Sequence, residues 1–357
     1  MLDVYSATIS RESEFTVAST WGEGETKFFF SLTPEIVLNE IEKNSAFKCT
    51  GRVLTLNSME NRVYEVEIDL ESPPKNPSER FIVVKFYRPG RWSKEQILEE
   101  HEFLSDLKAN DIPVVPPLAN EHGETLFKLS SAEIYFTLFP KMAGRIADEM
   151  QDEKLRTTAR TIARLHNVGA MKQAKHRLRL DTDTYGISNM NYLLANNFIP
   201  DNFRDRYADI VQRICEISSP WFSKVSYQRI HGDCHLGNIL EGREQLTLVD
   251  FDDMVQGPCV QDIWLIIPGR DEFAKQQMDE FISAYEIMRP FDRSSLRLIE
   301  PLRALRYVHF SAWIARRWQD PIFPKFFPHF GSEQYWQEQI SDLHEQYDLI
   351  SRQASLY

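Results

Sequence analysis

Residues 231–240, HGDCHLGNIL, hold side chains that could perform two kinds of chemistry. His231 and His235 stand four positions apart with Asp233 between them, a spacing that binds zinc when the segment is a helix. Alternatively, Asp233 could accept the proton of an attacking hydroxyl while Asn238 binds magnesium, as in a phosphoryl-transfer loop. The two interpretations require different companion residues elsewhere in the chain.

The surrounding residues favour phosphoryl transfer over zinc chemistry. Gly232 and Gly237 argue against a helix, and no further cluster of His, Asp or Cys in the sequence completes a zinc shell. The segment DFDD, residues 250–253, supplies carboxylates, which are hard ligands that suit magnesium better than zinc. Because DFDD follows the apolar run LTLV, Asp250 is predicted to lie at the end of a strand and to bind metal.

A lysine and a glutamate supply the other parts that a kinase needs. The strand-like run FIVVKFY, residues 81–87, contains Lys85, which would counter phosphate charge. The next helical segment, ILEEHEFL, supplies Glu99 and Glu100 as candidate partners for that lysine. These residues precede the catalytic segment in the order that a kinase requires, so the sequence predicts a kinase-like fold.

Hydrophobic periodicity predicts a small β-rich part followed by a larger helical part. A helix is predicted to begin at Pro34 after a Thr33 cap, and another follows a Ser93 cap. Strands are predicted in RVLTLN, NRVYEVEI and FIVVKFY, and hairpins in GETLFKLSSAEIYFTLFP and GNILEGREQLTLVDF. We predict an α+β, two-lobed, protein-kinase-like fold. Its parts are an N-terminal extension (1–30), an N-terminal nucleotide-binding lobe (31–140) and a C-terminal catalytic and substrate lobe (141–357).

These motifs resemble a known group of enzymes. The chain is similar to the aminoglycoside phosphotransferase and choline kinase-like branch of the protein-kinase fold, whose catalytic loop reads HGDxxxxN. Over roughly residues 31–340 it also resembles the bacterial stress response kinase A group, whose members are regarded as ATP-dependent Ser/Thr protein kinases. The stretches that carry the resemblance are LNSMENRVYEV, VVKFYRPGRWSKEQILEEHEFL, IHGDCHLGNIL, VDFDD with GPCVQDIW, and EPLRALRYVHFSAWIARRW.

The resemblance implies a role for each candidate residue. Asp233 would be the catalytic base, and Asp250 would act with it by joining metal to the phosphates. Asn238 would be a further Mg²⁺ ligand. Glu100, rather than Glu99, would be the partner of Lys85. Backbone groups of residues 139–142, including Phe139 and Met142, would bind the adenine edge of ATP.

Other residues have implied or alternative roles. Ser58 would contact ATP from the turn NSMEN, although no glycine occurs between Arg52 and Tyr64, where a protein kinase has a glycine-rich loop. Asp262 would brace the catalytic loop. Asp252 would reach either a second metal or only solvent. Cys234 would be either a buried small hydrophobe or a redox-sensitive thiol.

Composition limits the range of partners and settings. The net charge of −12 disfavours nucleic acid as a partner. No window reaches the roughly 18 apolar residues that span a bilayer, and the first residues lack the pattern of a signal peptide. The four cysteines form no CxxC pair, so a reducing cytoplasm is the expected setting. A monomer is the default expectation.

We therefore predict a Mg-ATP-dependent phosphotransferase that acts on a hydroxyl acceptor, most simply Ser or Thr of proteins in a stress response. One alternative is a small-molecule kinase acting on an amino alcohol, a sugar or an aminoglycoside, because the motifs encode the donor side of the reaction. Another is a pseudokinase that binds ATP without transferring phosphate.

Overall fold

The computed structural model describes residue 29 and residues 32–148, 150–242 and 245–354. The predicted N-terminal extension, residues 1–30, therefore lies outside the described residues apart from residue 29. Along the described chain, an antiparallel sheet comes first and a larger helical part follows. The predicted α+β fold, with a small β-rich lobe and a larger helical lobe, is confirmed.

The main sheet of the described chain has five antiparallel strands in the order β1-β2-β3-β5-β4. They are β1 (Lys48–Leu56), β2 (Arg62–Asp69), β3 (Phe81–Phe86), β4 (Phe127–Lys128) and β5 (Tyr135–Pro140). The runs RVLTLN, NRVYEVEI and FIVVKFY thus form three neighbouring strands, as predicted. β3 lies in the middle of the sheet, where its register places Lys85 opposite Val63 of β2 and Thr137 of β5.

Helix α1 (Pro34–Asn44) begins where its sequence predicts. The side chain of Thr33 accepts a hydrogen bond from the N–H of Ile36, and Pro34 occupies the first turn, where its missing N–H costs nothing. Val37 and Ile41 are fully buried and join the hydrophobic core of the sheet.

Helix α2 (Lys94–Ala109) follows β3 and begins at Ser93, which forms a capping box with Gln96. The helix buries Glu100 beside apolar side chains that belong to the core of the helical lobe, among them Phe103 and Leu107. Because a buried carboxylate is costly without a partner, Glu100 needs a cation close to it.

The helical lobe is built mainly from α3 (Asp152–Gly169), α4 (Ser188–Ala195), α5 (Asp201–Phe222), α6 (Val260–Trp264), α7 (Glu272–Tyr285), α8 (Ile299–Arg316), α9 (Ile322–Phe326) and α10 (Glu333–Ala354). α3 packs against α7, and α10 packs against α5 and α8. In the part of the chain that the structure describes, no helix combines the length and apolar character needed to cross a bilayer.

Short strands in the helical lobe hold the catalytic segment. They are β6 (Arg145–Ile146), β7 (Gln228–Ile230), β8 (Ile239–Glu241), β9 (Leu246–Leu248) and β10 (Val255–Gly257). β8 and β9 form the predicted hairpin, and β7 pairs with β10. The HGDCHLGN segment therefore connects β7 to β8, and DFDD connects β9 to β10. Both loops run between the same two small sheets, β7–β10 and β6–β8–β9.

Candidate active site

A cavity of about 630 Å³ lies between the sheet and the helical lobe. Seven of the residues predicted from the sequence line it: Ser58, Lys85, Glu100, Phe139, Met142, Asp233 and Asp250. Asn238 is held beside them, because its side-chain amide donates a hydrogen bond of 2.9 Å to the carbonyl of Asp233. The fold thus brings the predicted residues to one place from distant parts of the chain.

Lys85 stands at the centre of a buried charge cluster. Its Nζ lies 2.9 Å from Asp252 Oδ1 and 3.6 Å from both Glu100 Oε1 and Asp250 Oδ1. Burial alone would lower the pKa of Lys85, but Asp252, Glu100 and Asp250 raise it well above its ordinary value. Lys85 therefore remains a cation.

The two neighbouring glutamates of α2 have different tasks. Glu100 is 1 % exposed and also accepts a hydrogen bond of 3.0 Å from Arg177 Nη2. Glu99 instead accepts hydrogen bonds from the backbone N–H groups of residues 175–177, at 2.5 to 3.0 Å. The structure therefore places Glu100, and not Glu99, against Lys85.

Asp252 lies in a different environment from the one expected. The sequence suggested either a metal ligand or a solvent-exposed group, but the side chain is 5 % exposed and forms ion pairs with Lys85 and Arg91. Asn61 also donates a hydrogen bond of 3.3 Å to its Oδ2. Burial would raise the pKa of Asp252, but Arg91 and Lys85 hold it below its ordinary value. Solvent exposure was therefore the wrong expectation, and Asp252 neutralises two buried cations.

Both carboxylate oxygens of Asp233 are held in place. Arg306 Nη1 donates to Oδ1 at 2.8 Å, and His235 Nε2 lies 3.3 Å from Oδ2. The preceding Gly232 has a φ of +87°, and a Cβ there would lie 2.1 Å from the carbonyl oxygen of Asp253. Only glycine fits this close approach of two loops, which brings Asp233 alongside the DFDD segment.

Asp262, at the N-terminal end of α6, braces the backbone of the catalytic loop as the resemblance implied. Its Oδ2 accepts from the N–H of His231 and its Oδ1 from the N–H of Gly232, both at 2.8 Å. The side chain is fully buried, and His166 Nε2 lies 3.2 Å from Oδ2. The loop is thus fixed at its backbone just before Asp233.

Neither ring nitrogen of His231 is available for zinc. Nε2 lies 2.9 Å from the carbonyl oxygen of Val249, and Nδ1 accepts from the N–H of Asp233 at 3.4 Å. Among the described residues, no group of three or more His, Cys, Asp and Glu side chains is arranged to hold a metal ion. The zinc interpretation therefore lacks a ligand set.

Asn238 and Asp250 offer oxygen ligands of the kind that Mg²⁺ prefers. The Asn238 amide nitrogen donates to the carbonyl of Asp233, so the amide oxygen is the atom of this side chain that could bind a cation. The backbone carbonyl of Asn238 accepts from Val249 N–H at 3.0 Å, which keeps Asn238 next to Asp250. Asp250 has a φ of 60°, uncommon for a residue other than glycine, and a 59 % exposed side chain. Two such ligands fit Mg²⁺, which commonly takes one or two protein ligands together with substrate phosphates and water.

The remaining predicted residues, Ser58, Phe139 and Met142, also line the cavity. Ser58 Oγ accepts a hydrogen bond of 3.3 Å from the N–H of Asn61, so the hydroxyl stabilises the turn between β1 and β2. Phe139 lies in β5, and Met142 follows the end of that strand. Several apolar side chains line the same cavity: Leu56, Val63, Val83, Leu240 and Val249. Such a lining suits a planar base.

Helix α8 contributes residues to which the sequence analysis assigned no role in the site. Side chains from three successive turns of the helix line the cavity: Leu302, Leu305, Arg306, His309, Phe310 and Trp313. Their spacing of three and four positions is the signal that would have shown a common face. The turn residue Glu60 was also missed, and its carboxylate contacts Arg88, Arg317 and Trp313.

Comparison of the sequence with known proteins identifies the family of the chain. The sequence matches the model of the Phosphotransferase enzyme family over residues 54–299. It is 35% identical to stress response kinase A of Escherichia coli strain K12 over 323 residues, which are 90% of this chain and 94% of that protein. It is 34% identical, with the same coverage, to the serine/threonine protein kinase RdoA of Salmonella typhimurium strain LT2.

Solved structures share the fold at low sequence identity. An amicoumacin kinase in complex with AMP-PNP, Ca²⁺ and Ami has a TM-score of 0.65 at 20% identity, covering 84% of this chain and 92% of that chain. A microcompartment-associated aminopropanol kinase has a TM-score of 0.58 at 19% identity, covering 90% and 98%. The match to the family model and the identity to the two kinases show that the chain belongs to the Phosphotransferase enzyme family and is a kinase.

Proposed function

We propose that the enzyme uses Mg²⁺ and ATP to phosphorylate Ser or Thr hydroxyl groups of proteins in a stress response. The observation that carries the proposal is the position of Asp233: its carboxylate is held at both oxygens and lines the same cavity as Lys85 and Asp250. The choice of Ser or Thr in proteins, and the link to stress, rest on the names of the relatives at 34–35% identity.

The donor side of the cavity suits a nucleoside triphosphate. The apolar side chains of the lining contact the base, and the backbone of residues 139–142, which also line the cavity, binds its polar edge. Lys85 and the turn that contains Ser58 hold the phosphates, since a buried lysine and backbone amides of a tight turn both favour anions. Glu100 keeps the Lys85 ammonium group in position.

Asn238 and Asp250 are the residues that would hold Mg²⁺. When bound, Mg²⁺ supplies positive charge that neutralises the phosphates. The hydrogen bond from Asn238 to the carbonyl of Asp233 links this pair to the catalytic loop, so the metal ligands and the base are positioned together. Asp233 orients the acceptor hydroxyl and takes its proton late in the reaction.

The acceptor side of the cavity gives little support to a cationic small substrate such as an aminoglycoside. Such a substrate would need carboxylates available to bind ammonium groups. Instead, an arginine stands beside each of two cavity carboxylates: Arg306 at Asp233 and Arg91 at Asp253. The small-molecule kinase and the pseudokinase remain outcomes of the test below.

The decisive experiment is phosphate transfer from γ-labelled ATP with Mg²⁺. One reaction contains enzyme alone, a second adds a generic basic protein, and a third adds a panel of small alcohols; Asp233→Asn is the control. Label on protein that disappears in Asp233→Asn supports the proposal. Label only on a small alcohol replaces it with a metabolite or antibiotic kinase. ATP binding without any transfer leaves a pseudokinase.

Some sequence predictions remain predictions. The lobe boundaries at 31–140 and 141–357, the monomeric state and the cytoplasmic setting belong to this group. The four cysteines, Cys49, Cys215, Cys234 and Cys259, are free thiols, which supports a reducing compartment.

A further inference from the structure

Arg306 contacts the carboxylate of the catalytic loop, and the motifs did not identify it. It lies on α8, 73 positions after Asp233, and its Nη1 donates to Asp233 Oδ1 at 2.8 Å. The side chain lines the cavity and is 43 % exposed, so it faces the space that an acceptor would occupy.

Other cavity cations have different tasks. Four cationic side chains line the cavity in the described part of the chain: Lys85, Arg91, Lys141 and Arg306. Lys85 belongs to the donor-side cluster, Arg91 is 8 % exposed and forms ion pairs with Asp252 and Asp253, and Lys141 forms one with Glu65. Arg306 is the one of these four that contacts the proposed base.

We propose that Arg306 is a positioning residue for phosphoryl transfer, acting through Asp233. It fixes one carboxylate oxygen while His235 fixes the other, so the carboxylate has one orientation relative to the acceptor hydroxyl. The inference rests on the proposed function, because it assigns Arg306 to the same reaction. A misplacement of about 1 Å at such a group costs roughly 100-fold in rate.

The electrostatic surroundings of Asp233 are consistent with this role. Arg306 faces it from α8 at 2.8 Å and His235 from its own loop at 3.3 Å. The other charged or titratable neighbours are Cys234, Asp253 and the buried Tyr185. Each carboxylate oxygen of Asp233 therefore faces one basic side chain.

The test compares Arg306→Ala and Arg306→Lys with the wild type by steady-state kinetics. It measures kcat together with KM for ATP and KM for whichever acceptor in the panel above takes label. Arg213→Ala is the matched control, because Arg213 forms an exposed ion pair with Asp209 on α5 at 2.9 Å.

We expect Arg306→Ala to lower kcat about 10- to 100-fold, with KM for ATP within about twofold of the wild type. Arg306→Lys should restore most of kcat because it keeps a cation, and Arg213→Ala should match the wild type.

Three results would overturn the inference. One is an unchanged kcat in Arg306→Ala, and another is an Arg306→Lys enzyme that is no faster than Arg306→Ala. The third is a rise in KM for the acceptor alone, which would make Arg306 a binding residue. If the wild type transfers no phosphate to any acceptor, the proposed function fails, and the same comparison of variants on the hydrolysis of ATP decides whether Arg306 acts through Asp233.

Discussion

Glu60 and Arg317 form a two-point ion pair that ties the turn between β1 and β2 to the end of α8. Arg317 Nη2 donates to Oε1 at 2.8 Å, and Nε lies 2.7 Å from Oε2. Trp313 Nε1 also donates to Oε2, and Arg88 Nε lies 3.1 Å from Oε1. The turn that would hold ATP phosphates is therefore positioned by side chains of both lobes, and not by glycine-rich backbone.

Glu60→Gln should weaken both ATP binding and stability. Glu60 is 13 % and Arg317 is 5 % exposed in the side chain, so losing the charge leaves buried cations uncompensated. Breaking a buried ion pair costs about 3–5 kcal/mol. We also expect KM for ATP to rise roughly tenfold, which equals about 1.4 kcal/mol of binding free energy. Steady-state kinetics and urea unfolding measure the two effects.

Glu67→Gln is the matched control for this change. Glu67 lies on β2, the strand that follows the turn of Glu60, but its side chain accepts a hydrogen bond of 3.0 Å from Thr50 and lies outside the cavity lining. The control should match the wild type in both measurements. An unchanged KM for ATP in Glu60→Gln would show that the ion pair does not position the phosphate turn.

Glu60 should also make the free energy of unfolding depend on pH. Burial would raise its pKa, but Arg317, Arg91 and Arg88 lower the pKa of Glu60 from 4.5 to about 2. A lowered folded-state pKa contributes stability above the unfolded value, and this contribution is lost as pH falls from 4.5 through about 2. The lowering corresponds to roughly 3 kcal/mol.

The free energy of unfolding therefore provides a direct check. The difference between wild type and Glu60→Gln should be largest at about pH 5 and should shrink towards about pH 3. Urea unfolding of both proteins across this range measures it. A difference that stays constant with pH would mean that Glu60 is not the titrating group.

Lys85→Met should abolish activity but leave the fold intact. The two buried carboxylates that Lys85 contacts each have a further partner, Arg177 at Glu100 and Arg91 at Asp252. The third, Asp250, is 59 % exposed in the side chain. The phosphates of ATP have no comparable replacement, so kcat should fall at least about 100-fold, as when a single charge-stabilising donor is removed. Thermal unfolding should show a Tm within a few degrees of the wild type.

A surface lysine provides the comparison. Lys128 is 46 % exposed and pairs with the exposed Glu133, so Lys128→Met should retain full activity. Full activity in Lys85→Met would contradict the proposed phosphate contact. An unfolded Lys85→Met protein would show instead that the neighbouring arginines cannot hold the cluster together.

Local signals explain why much of the fold could be predicted. The Thr33 and Ser93 caps, the alternating strands and the β8–β9 hairpin depend on residues a few positions apart, and their patterns mark them in the sequence. The motif order placed Lys85, Glu100 and the catalytic loop in one cavity. These features needed no knowledge of the packing between lobes.

Long-range ion pairs lie outside what such patterns can show. Arg317 is 257 positions from Glu60, and Arg91 is 161 positions from Asp252. Neither pair has a local periodicity, since only the packing of α8 and of the segment after β3 brings the partners together. For the same reason the sequence suggested metal or solvent for Asp252 and no role in the site for Arg306.

The final prediction concerns Cys234, which the sequence left as either a buried hydrophobe or a redox-sensitive thiol. Its side chain is fully buried, and burial raises the pKa of its thiol well above the ordinary value. Because the thiolate is the reactive form, Cys234 should resist iodoacetamide in the native protein. Cys259 should react first, because it is partly exposed. Desolvation alone would raise the pKa of its thiol, but His166 lowers that pKa below its ordinary value.

Peptide mass spectrometry over a time course measures the order of reaction, with urea-unfolded protein as the reference in which all four cysteines react. Alkylation of native Cys234 as fast as Cys259 would support the redox-sensitive alternative.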